Sequence, residues 1–337
     1  MGATIFDVAK HAGVSIGTVS RVLNNRDRVH PKTRERVLKS IEALNFSANA
    51  YARGLANQQT DTLGLVIPQV NDSFYFEIVR GVEDAATEAG YRLLIASQPR
   101  HSEEHRYLDL FQRSYVDAMV LVAIDVHIYE LREVIDRGVP VVLVHQNIDK
   151  SVPSFQADNF GGGREITQHL IGHGYTRLAY ITGTDHTPDN RDRLRGMRDA
   201  LNSSGLSLEE TNILAGDFLP GSGYRAALEL MRRPELPHAI FAANDQMAVD
   251  AIKALREHGL RVPDDIAVVG FDDVLMAQYV SPTLTTVHQP LYELGLQAAQ
   301  MVLTTLQNQE NVRSPALAPS VLLPTTLKIR QSCGCKG

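Results

Sequence analysis

Residues Thr4–Asn24 read TIFDVAKHAGVSIGTVSRVLN, and this stretch decides how the N-terminal part of the chain folds. Thr4 followed three residues later by Asp7 is the pattern of a capping box, which starts a first short helix. Gly13 supplies a tight corner, and Ser15 can cap a second helix directly after it. The stretch therefore predicts two short helices that meet at a glycine turn.

The two helices present different faces. The residues whose helical spacing directs them inward are Val8, Ala9, Ala12, Val19, Val22 and Leu23. Those left facing outward near the start of the second helix are Ile16, Gly17, Ser20 and Arg21. Such a helix start suits the major groove of DNA, because it offers N–H groups to phosphates and side chains to base edges. An ordinary helical hairpin with a solvated face is the alternative.

Charge is divided unevenly along the chain. Residues 1–60 contain nine Lys and Arg against four Asp and Glu, a net charge of +5. The whole chain carries −6, which leaves −11 for residues 61–337. A basic segment is attracted to phosphates, whereas an acidic body is repelled by them. The asymmetry favours a nucleic-acid-binding segment tethered to a larger body.

A third helix and a short connecting segment follow. Pro31 opens a helix whose apolar residues can close a three-helix core. Residues 49–56 cover only about two helical turns and contain Gly54, so they would form a marginal helix alone. This segment fits a hinge that folds on DNA, with Leu55 pressed into a minor-groove base step, and it also fits a plain linker.

These first sixty residues resemble the DNA-binding headpiece of the lactose-repressor/galactose-repressor (LacI/GalR) family. The matching blocks are Asp7-Val-Ala, Ala12-Gly-Val-Ser, Thr18-Val-Ser-Arg-Val-Leu-Asn24 and Ala52-Arg-Gly-Leu55. The resemblance implies base-reading positions at Ile16, Gly17 and Arg21 and an intercalating position at Leu55. Because Ile16-Gly17 is a weakly polar pair, we expect hydrogen-bond readout to fall mainly on Arg21. The expected DNA-contacting residues are Thr4, Ser15, Ile16, Gly17, Thr18, Ser20, Arg21, Asn24, Asn49, Ala52 and Leu55.

From Thr62 onward, short apolar runs alternate with longer amphipathic segments. The expected strands are 63–66, 92–96, 118–122, 141–144, 178–181, 239–242 and 266–270, and the expected helices are 73–89, 103–113, 161–172, 192–203, 222–232 and 245–257. This alternation predicts an α/β fold with parallel sheets covered on both faces. About 275 residues exceed the usual size of one domain, so two lobes are expected.

The resemblance extends to this body and implies a periplasmic-binding-protein-like fold, in which three crossing strands join two lobes. We place the crossings near Asn159, Gln289 and Pro319, and the final strand Val321–Ile329 in the second lobe. The expected domains are an all-α helix-turn-helix domain at 1–46, a hinge helix and linker at 47–60, and an effector-binding and dimerisation domain at 61–337. Its first lobe comprises about 61–159 and 290–318, and its second about 160–288 and 320–332.

Polar residues that follow strand-like runs mark the expected ligand pocket, because ligands of open α/β sheets bind at the carboxyl ends of the strands. The expected hydrogen-bonding residues are Asn244, Asp272 and Arg193, and the expected stacking residues are Phe218, Phe74 and Tyr75. Each of them alone also fits a helix cap or a loop residue.

The blocks Ala243-Asn-Asp-Gln-Met247, Val269-Gly-Phe-Asp-Asp273 and Leu284-Thr-Thr-Val-His-Gln-Pro290 resemble the effector-pocket blocks of the family. The resemblance implies sugar-gripping roles for Arg193, Asn244, Asp272, Gln289 and Phe218, and pocket-lining positions at His145, Gln146 and Asp158. The loop at 185–192 departs from the nucleobase-binding pattern of the purine repressor. A sugar or sugar acid is therefore the expected effector, with a nucleobase or a protein co-effector as the alternative.

Motifs of other protein classes are absent from the sequence. No GxxxxGK[ST] loop, HExxH or paired-cysteine zinc pattern occurs, and Gly161-Gly-Gly163 fits a lobe crossing better than a dinucleotide fingerprint. The two cysteines, Cys333 and Cys335, are too few for a disulfide framework. A C-x-C tail can bind a soft metal, but we expect a flexible exposed tail, no metal and no cofactor. Because no signal peptide or membrane-length apolar stretch occurs, we expect a cytoplasmic protein without membrane contact.

These patterns together predict a transcriptional regulator, most simply a repressor, that binds a pseudo-palindromic operator in double-stranded DNA as a homodimer. A dimer is expected because no C-terminal leucine heptad occurs. Effector closure of the lobes would change the placement of the headpieces and so the operator affinity. A periplasmic sugar receptor would share the body fold. It should, however, begin with a signal peptide and lack a basic N-terminal segment. An enzyme is disfavoured, because Asp272, Arg193 and His145 lack a nucleophile–base spacing.

Overall fold

The structure is a computed structural model that describes residues 3–23, 29–46, 60–98, 115–122, 128–184, 187–307 and 318–335. The chain forms two compact units. One comprises Met1–Asp61 and Ser114–Val116, and the other comprises Thr62–Arg113 and Asp117–Gly337. Each unit has its own hydrophobic core.

The small unit is a three-helix domain with helices α1 (Ile5–Ala12), α2 (Ile16–Leu23) and α3 (Pro31–Ala43). The capping box at Thr4 and Asp7 is formed in both directions, and Gly13 ends α1 in the left-handed region at φ +62°. Val8, Val19 and Val37 supply one fully buried residue from each helix. The predicted helix pair and its shared core are therefore confirmed.

The large unit alternates strands with helices. Its strands are β1 (Thr62–Ile67), β2 (Arg92–Ser97), β3 (Ala118–Val122), β4 (Val141–Val144), β5 (Ser154–Ala157), β6 (Leu178–Ile181), β7 (Ile213–Leu214), β8 (Ala239–Ala242), β9 (Ala267–Val269), β10 (Thr286–His288), β11 (Ser320–Leu323) and β12 (Thr326–Lys328). Its helices are α4 (Phe74–Glu88), α5 (Ile128–Asp136), α6 (Asn159–Gly172), α7 (Pro188–Ser203), α8 (Ser222–Met231), α9 (Asp245–Glu257), α10 (Met276–Tyr279) and α11 (Leu291–Gln307). A 3₁₀ turn occupies Glu210–Asn212. The helix predicted at 103–113 lies outside the described residues.

The first lobe is built on a six-stranded parallel sheet of order β11-β5-β4-β3-β1-β2. Strands β3 and β4 are buried along their whole length, as expected for central strands covered on both faces. Helices α4 and α11 approach closely through Gly81 and Gly295, where a Cβ atom would collide with the facing backbone. The core of this lobe lies between these helices and the sheet.

The second lobe is built on a four-stranded parallel sheet of order β7-β6-β8-β9. Strands β10 and β12 form a separate antiparallel pair beside this sheet. The two are connected by a bridge between Asp272, just after β9, and His288 in β10. Helices α6 and α7 pack tightly, since a Cβ atom at Gly163 or Gly196 would collide with the backbone of the other helix. The prediction of parallel α/β sheets is confirmed in both lobes.

The crossings between the lobes differ from the prediction in one place. The chain enters the second lobe after β5 and returns after β10, close to the predicted Asn159 and Gln289. The final strand predicted at Val321–Ile329 is instead two strands, because β11 pairs with β5 in the first lobe and β12 pairs with β10. Pro324 separates them, since proline has no N–H to donate to a ladder. The third crossing therefore lies near Pro324 rather than Pro319.

Two further expectations are wrong. Gly161-Gly-Gly163 forms the first turn of α6 rather than the crossing itself, because Asp158 caps the helix just before it. The C-terminal segment, which the structure describes as far as Cys335, is not a flexible exposed tail. Ser332 and Cys333 are both fully buried, and the Ser332 hydroxyl donates to the Val268 carbonyl oxygen at 2.6 Å. This hydrogen bond extends the contact of the segment with β9.

Within the described part of the chain, no helix combines the length and the apolar character needed to cross a lipid bilayer.

Candidate functional site

The exposed face of α2 carries the residues predicted to read DNA. Ser15 caps the helix, because its Oγ accepts the Thr18 N–H at 3.2 Å and lies 2.9 Å from Thr18 Oγ1. Ile16 is 41 % exposed, and Gly17 and Arg21 are also exposed. Val19 and Val22 on the opposite side are buried in the domain core. The helix therefore offers its amino end and one polar face to a partner.

Other predicted DNA-contacting residues have more limited roles in the structure. The Thr4 hydroxyl donates to Asp7 Oδ2 at 2.6 Å and accepts the Asp7 N–H at 3.3 Å, so the side chain is committed to the cap of α1. Thr18 and Ser20 are half-buried. Four of the predicted residues, namely Asn24, Asn49, Ala52 and Leu55, lie outside the described residues.

In the large unit, Arg193 is the centre of a buried polar cluster. Its side chain extends from α7 and the residue is 2 % exposed. Nε donates to Asn159 Oδ1 at 2.7 Å, and Nη1 donates to the Ala243 carbonyl oxygen. The guanidinium carbon lies 3.9 Å from the centroid of the Phe271 ring, which stacks beneath it. The guanidinium is therefore held in one plane, with its remaining edge directed at Asp272.

Asp272 lies beside this edge of the guanidinium. Its Oδ1 is 3.4 Å from Arg193 Nη2 and accepts a hydrogen bond from Gln289 Nε2 at 2.7 Å. Burial raises the pKa of the Asp272 carboxyl to about 7, although the charge of Arg193 acts in the opposite direction. The carboxylates of Asp72 and Asp189 raise this pKa further. Asp272 also has a φ of +116°, a strained conformation of the kind often found at binding sites.

The first lobe contributes His145 and Phe74 to the same region. His145 follows β4 at a φ of +58° and is 2 % exposed. Its Nδ1 lies 3.2 Å from Asp189 Oδ2 on α7, yet neither ring nitrogen makes a hydrogen bond. The Phe74 ring centroid is 5.2 Å from that of His145. Asp189 also accepts a hydrogen bond from Asn159 at 2.9 Å. The contact between His145 and Asp189 therefore links the first lobe to the cluster around Arg193.

Two residues of this cluster, Asn159 and Asp245, are not among the predicted pocket residues. Asn159 links Arg193 to Asp189, and it lies two residues after the end of β5, a position that could have identified it. Asp245 is fully buried, where Thr286 Oγ1 donates to it at 2.5 Å and the Val274 N–H donates at 2.9 Å. Burial, followed by the charge of Asp272, raises the pKa of Asp245 well above its usual value. Asp245 thus holds the loop that carries Asp272.

The other predicted pocket residues mostly support the backbone. Asn244 Oδ1 accepts the Met247 N–H at 3.0 Å and its Nδ2 donates to the Phe218 carbonyl oxygen at 3.1 Å, so it caps α9. Asp158 caps α6 by accepting the Gly161 N–H at 2.8 Å. Further roles are likewise structural: the Phe218 ring covers Gly183, Gln146 contacts the Leu121 carbonyl oxygen at 3.5 Å, and Tyr75 packs edge-on against Phe74.

Comparison with known proteins identifies the family. Residues 4–49 match the model of bacterial regulatory proteins of the lacI family, and residues 167–333 match that of the periplasmic binding protein-like domain. The ribose operon repressor of Escherichia coli (strain K12) is 38% identical over 325 residues, covering 94% of this chain and 98% of the repressor. The chain belongs to the LacI family. It is accordingly a DNA-binding transcriptional regulator under effector control, as the sequence predicts.

Two solved structures of regulators share the LacI-family architecture of this chain. The crystal structure of the lac repressor dimer bound to operator and the anti-inducer ONPF matches with a TM-score of 0.85 at 28% identity, covering 99% of both chains. The complex of the transcriptional regulator CelR with cellobiose matches with a TM-score of 0.74 at 34% identity, covering 98% of this chain and 99% of that chain. The predicted fold class, a helix-turn-helix headpiece with a two-lobed α/β body, is confirmed.

Proposed function

We propose that this LacI-family regulator is a cytoplasmic repressor that binds a pseudo-palindromic operator as a homodimer and answers to a neutral sugar bound between its lobes. The arrangement of Arg193, Asp272 and Gln289 at the lobe junction carries the proposal. A sugar effector also agrees with the ribose operon repressor and the CelR–cellobiose complex among its relatives.

Three buried atoms of the cluster favour a ligand with hydroxyl groups. Within the described residues, Gln289 Oε1 and both ring nitrogens of His145 are buried without hydrogen-bond partners. A buried polar atom without a partner costs about 1–3 kcal/mol. A sugar hydroxyl can donate to one such atom and accept from another group at the same time, so a single ligand can satisfy several of them. His145 lies in the first lobe and Gln289 at the second crossing, so this ligand would join the lobes.

The charges around the cluster favour a neutral sugar over a sugar acid. Asp72, Asp189 and Asp272 are close enough for the first two carboxylates to raise the pKa of the third. Arg193 is the one cation in contact with Asp272 among the described residues, and it is already shared with Asn159 and Ala243. A ligand carboxylate would face like charges in a buried region, which is unfavourable. Neutral hydroxyl groups avoid this repulsion.

Control of DNA binding follows from ligand contacts to both lobes. A ligand that contacts His145 and Phe74 on one side and Arg193 and Asp272 on the other binds more tightly when the lobes are closed. Closure changes the operator affinity by the coupling free energy, typically ~1–3 kcal/mol or roughly 5- to 150-fold. Gly17 and Arg21 on α2 would make the base contacts, and closure of the lobes would alter the geometry of those contacts.

A thermal-shift screen of the full chain tests the effector class. The panel contains neutral monosaccharides and disaccharides, sugar acids, sugar phosphates and nucleobases. We expect a saturable rise with a neutral sugar, because a ligand at 100 times its Kd adds about 2.7 kcal/mol to native stability. Asp272→Asn should abolish this rise, while Asp264→Asn, at an exposed site of the same lobe, should retain it. A rise with nucleobases alone would contradict the proposal.

A further inference from the structure

Two histidines and two cysteines converge at the C-terminal end of α6. His169 Nε2 lies 3.2 Å from Cys333 Sγ, and His173 Nε2 lies 3.2 Å from Cys335 Sγ. Cys335 Sγ is also 3.9 Å from His169 Nε2. All four of these atoms lie within 4.8 Å of one another. The cluster belongs to the second lobe and is separate from the Arg193–Asp272 cluster.

The fold brings these four side chains together by three local features. His169 and His173 are four residues apart at the end of α6, so they lie on the same face. Ser332 anchors the C-terminal segment, since it donates to the Val268 carbonyl oxygen at 2.6 Å and accepts the Thr285 N–H at 2.8 Å. Gly334 adopts a φ of +97°, a conformation that favours glycine and returns Cys335 to the point reached by Cys333.

We propose that His169, His173, Cys333 and Cys335 bind a zinc ion in tetrahedral geometry. Bond lengths of ≈ 2.0–2.1 Å to nitrogen and ≈ 2.3 Å to sulfur place tetrahedral ligand atoms about 3.3–3.8 Å apart. The observed nitrogen–sulfur separations of 3.2, 3.2 and 3.9 Å bracket this range closely. Because the four ligand atoms lie within 4.8 Å of one another, closing around an ion requires side-chain adjustments of at most about 1 Å.

The donor set selects the class of metal. Two thiolates and two imidazoles in tetrahedral geometry suit zinc, whereas magnesium and calcium prefer oxygen ligands. Two thiolate charges also neutralise a divalent ion, so the complex can be buried at Cys333, which is 0 % exposed. On binding, the two S–H bonds break, two metal–sulfur bonds form and two protons pass to solvent, while both histidines bind as neutral rings.

Two hydrogen bonds hold Cys333 in place at the site. Thr285 Oγ1 donates to Cys333 Sγ at 3.1 Å, and Tyr175 donates to the Cys333 carbonyl oxygen at 3.1 Å. Hydrogen bonds of this kind orient metal ligands and stabilise a bound thiolate. The site would connect α6, which starts beside Arg193, to the segment that follows the third crossing.

Metal titration of the untagged, reduced, full-length chain tests the proposal. After chelator treatment, Co²⁺ is added as a spectroscopic probe and then displaced by Zn²⁺. We expect saturation at about one ion per chain, with the visible bands of tetrahedral cobalt and a thiolate-to-cobalt charge-transfer band. Zinc addition to the metal-free chain should release about two protons per ion, measured with a pH indicator.

Variants show which residues bind the metal and whether other histidines contribute. Cys335→Ser and His173→Ala should each abolish the charge-transfer band or weaken metal binding at least tenfold. His258→Ala, at the end of α9 in the same lobe, should leave both unchanged. Circular dichroism checks that the variants fold, and the wild-type titration does not depend on them. A reduced wild-type chain that binds neither metal, or variants that bind as well as wild type, would overturn the proposal. So would a Cys333–Cys335 disulfide whose reduction gives no metal binding.

Discussion

Gly163→Ala tests how closely α6 and α7 approach each other. A Cβ atom at this position would collide with the Arg193 carbonyl oxygen and lie 3.0 Å from the Arg193 Cα. Both obstacles are backbone atoms, so one helix must move, and overpacking of this kind typically costs about 1–3 kcal/mol. The movement displaces Arg193 itself, because that residue is the obstacle. The variant should therefore lose both stability and effector affinity.

Gly172→Ala on the same helix is the matched control. A Cβ atom there meets nothing within 4 Å, so the substitution should leave stability unchanged or raise it by about 0.4–1 kcal/mol. Urea unfolding of the two variants and wild type, followed by circular dichroism, measures the difference. We expect Gly163→Ala to be the less stable of the pair by at least ~1 kcal/mol. Equal stability would refute the close approach of the two helices and the reasoning built on it.

The remaining predictions concern DNA, pH and the hinge. Arg21→Ala should weaken binding to an operator selected from random duplexes by about 1–3 kcal/mol, while Lys39→Ala on α3 should not. Equal losses of affinity in the two variants would contradict a base-reading role for Arg21. Because the raised pKa of Asp272 means that the folded state holds a proton that the unfolded state has lost, the ligand-free chain should lose stability between about pH 4 and 7. Asp272→Asn should reduce the dependence of the unfolding free energy on pH, as measured by urea unfolding at several pH values. An unchanged dependence would mean that another group is responsible for it. Leu55→Ala should weaken operator binding strongly and leave effector binding intact in calorimetry, whereas loss of both would contradict the hinge assignment.

Local patterns made the small domain predictable from sequence. The capping box at Thr4, the turn at Gly13 and the cap at Ser15 each involve residues within a few positions of one another. Their geometry depends little on the rest of the chain. The strands of the large unit were predictable for a similar reason, since each is a short apolar run.

Contacts between distant segments were not predictable from a single sequence. Asn159 joins Asp189 and Arg193 from 30 and 34 positions away, and no local spacing reveals this. The cysteines of the C-terminal segment contact the end of α6, which lies more than 160 positions earlier in the chain. Because no local pattern reveals this contact, the sequence alone predicted a flexible exposed tail. The split of the final strand also depends on its neighbours, because β5 and β10 each provide a separate edge for pairing.

Effector control of this regulator requires that a ligand bound at the Arg193–Asp272 cluster changes the affinity for the operator. Fluorescence anisotropy of a labelled operator duplex, titrated with the full chain, gives Kd with and without a saturating concentration of the sugar identified in the thermal-shift screen. We expect a roughly 5- to 150-fold change in Kd for wild type and no change for Asp272→Asn, which should bind the operator as well as ligand-free wild type. An unchanged wild-type Kd, or an equal change in the variant, would contradict this expectation.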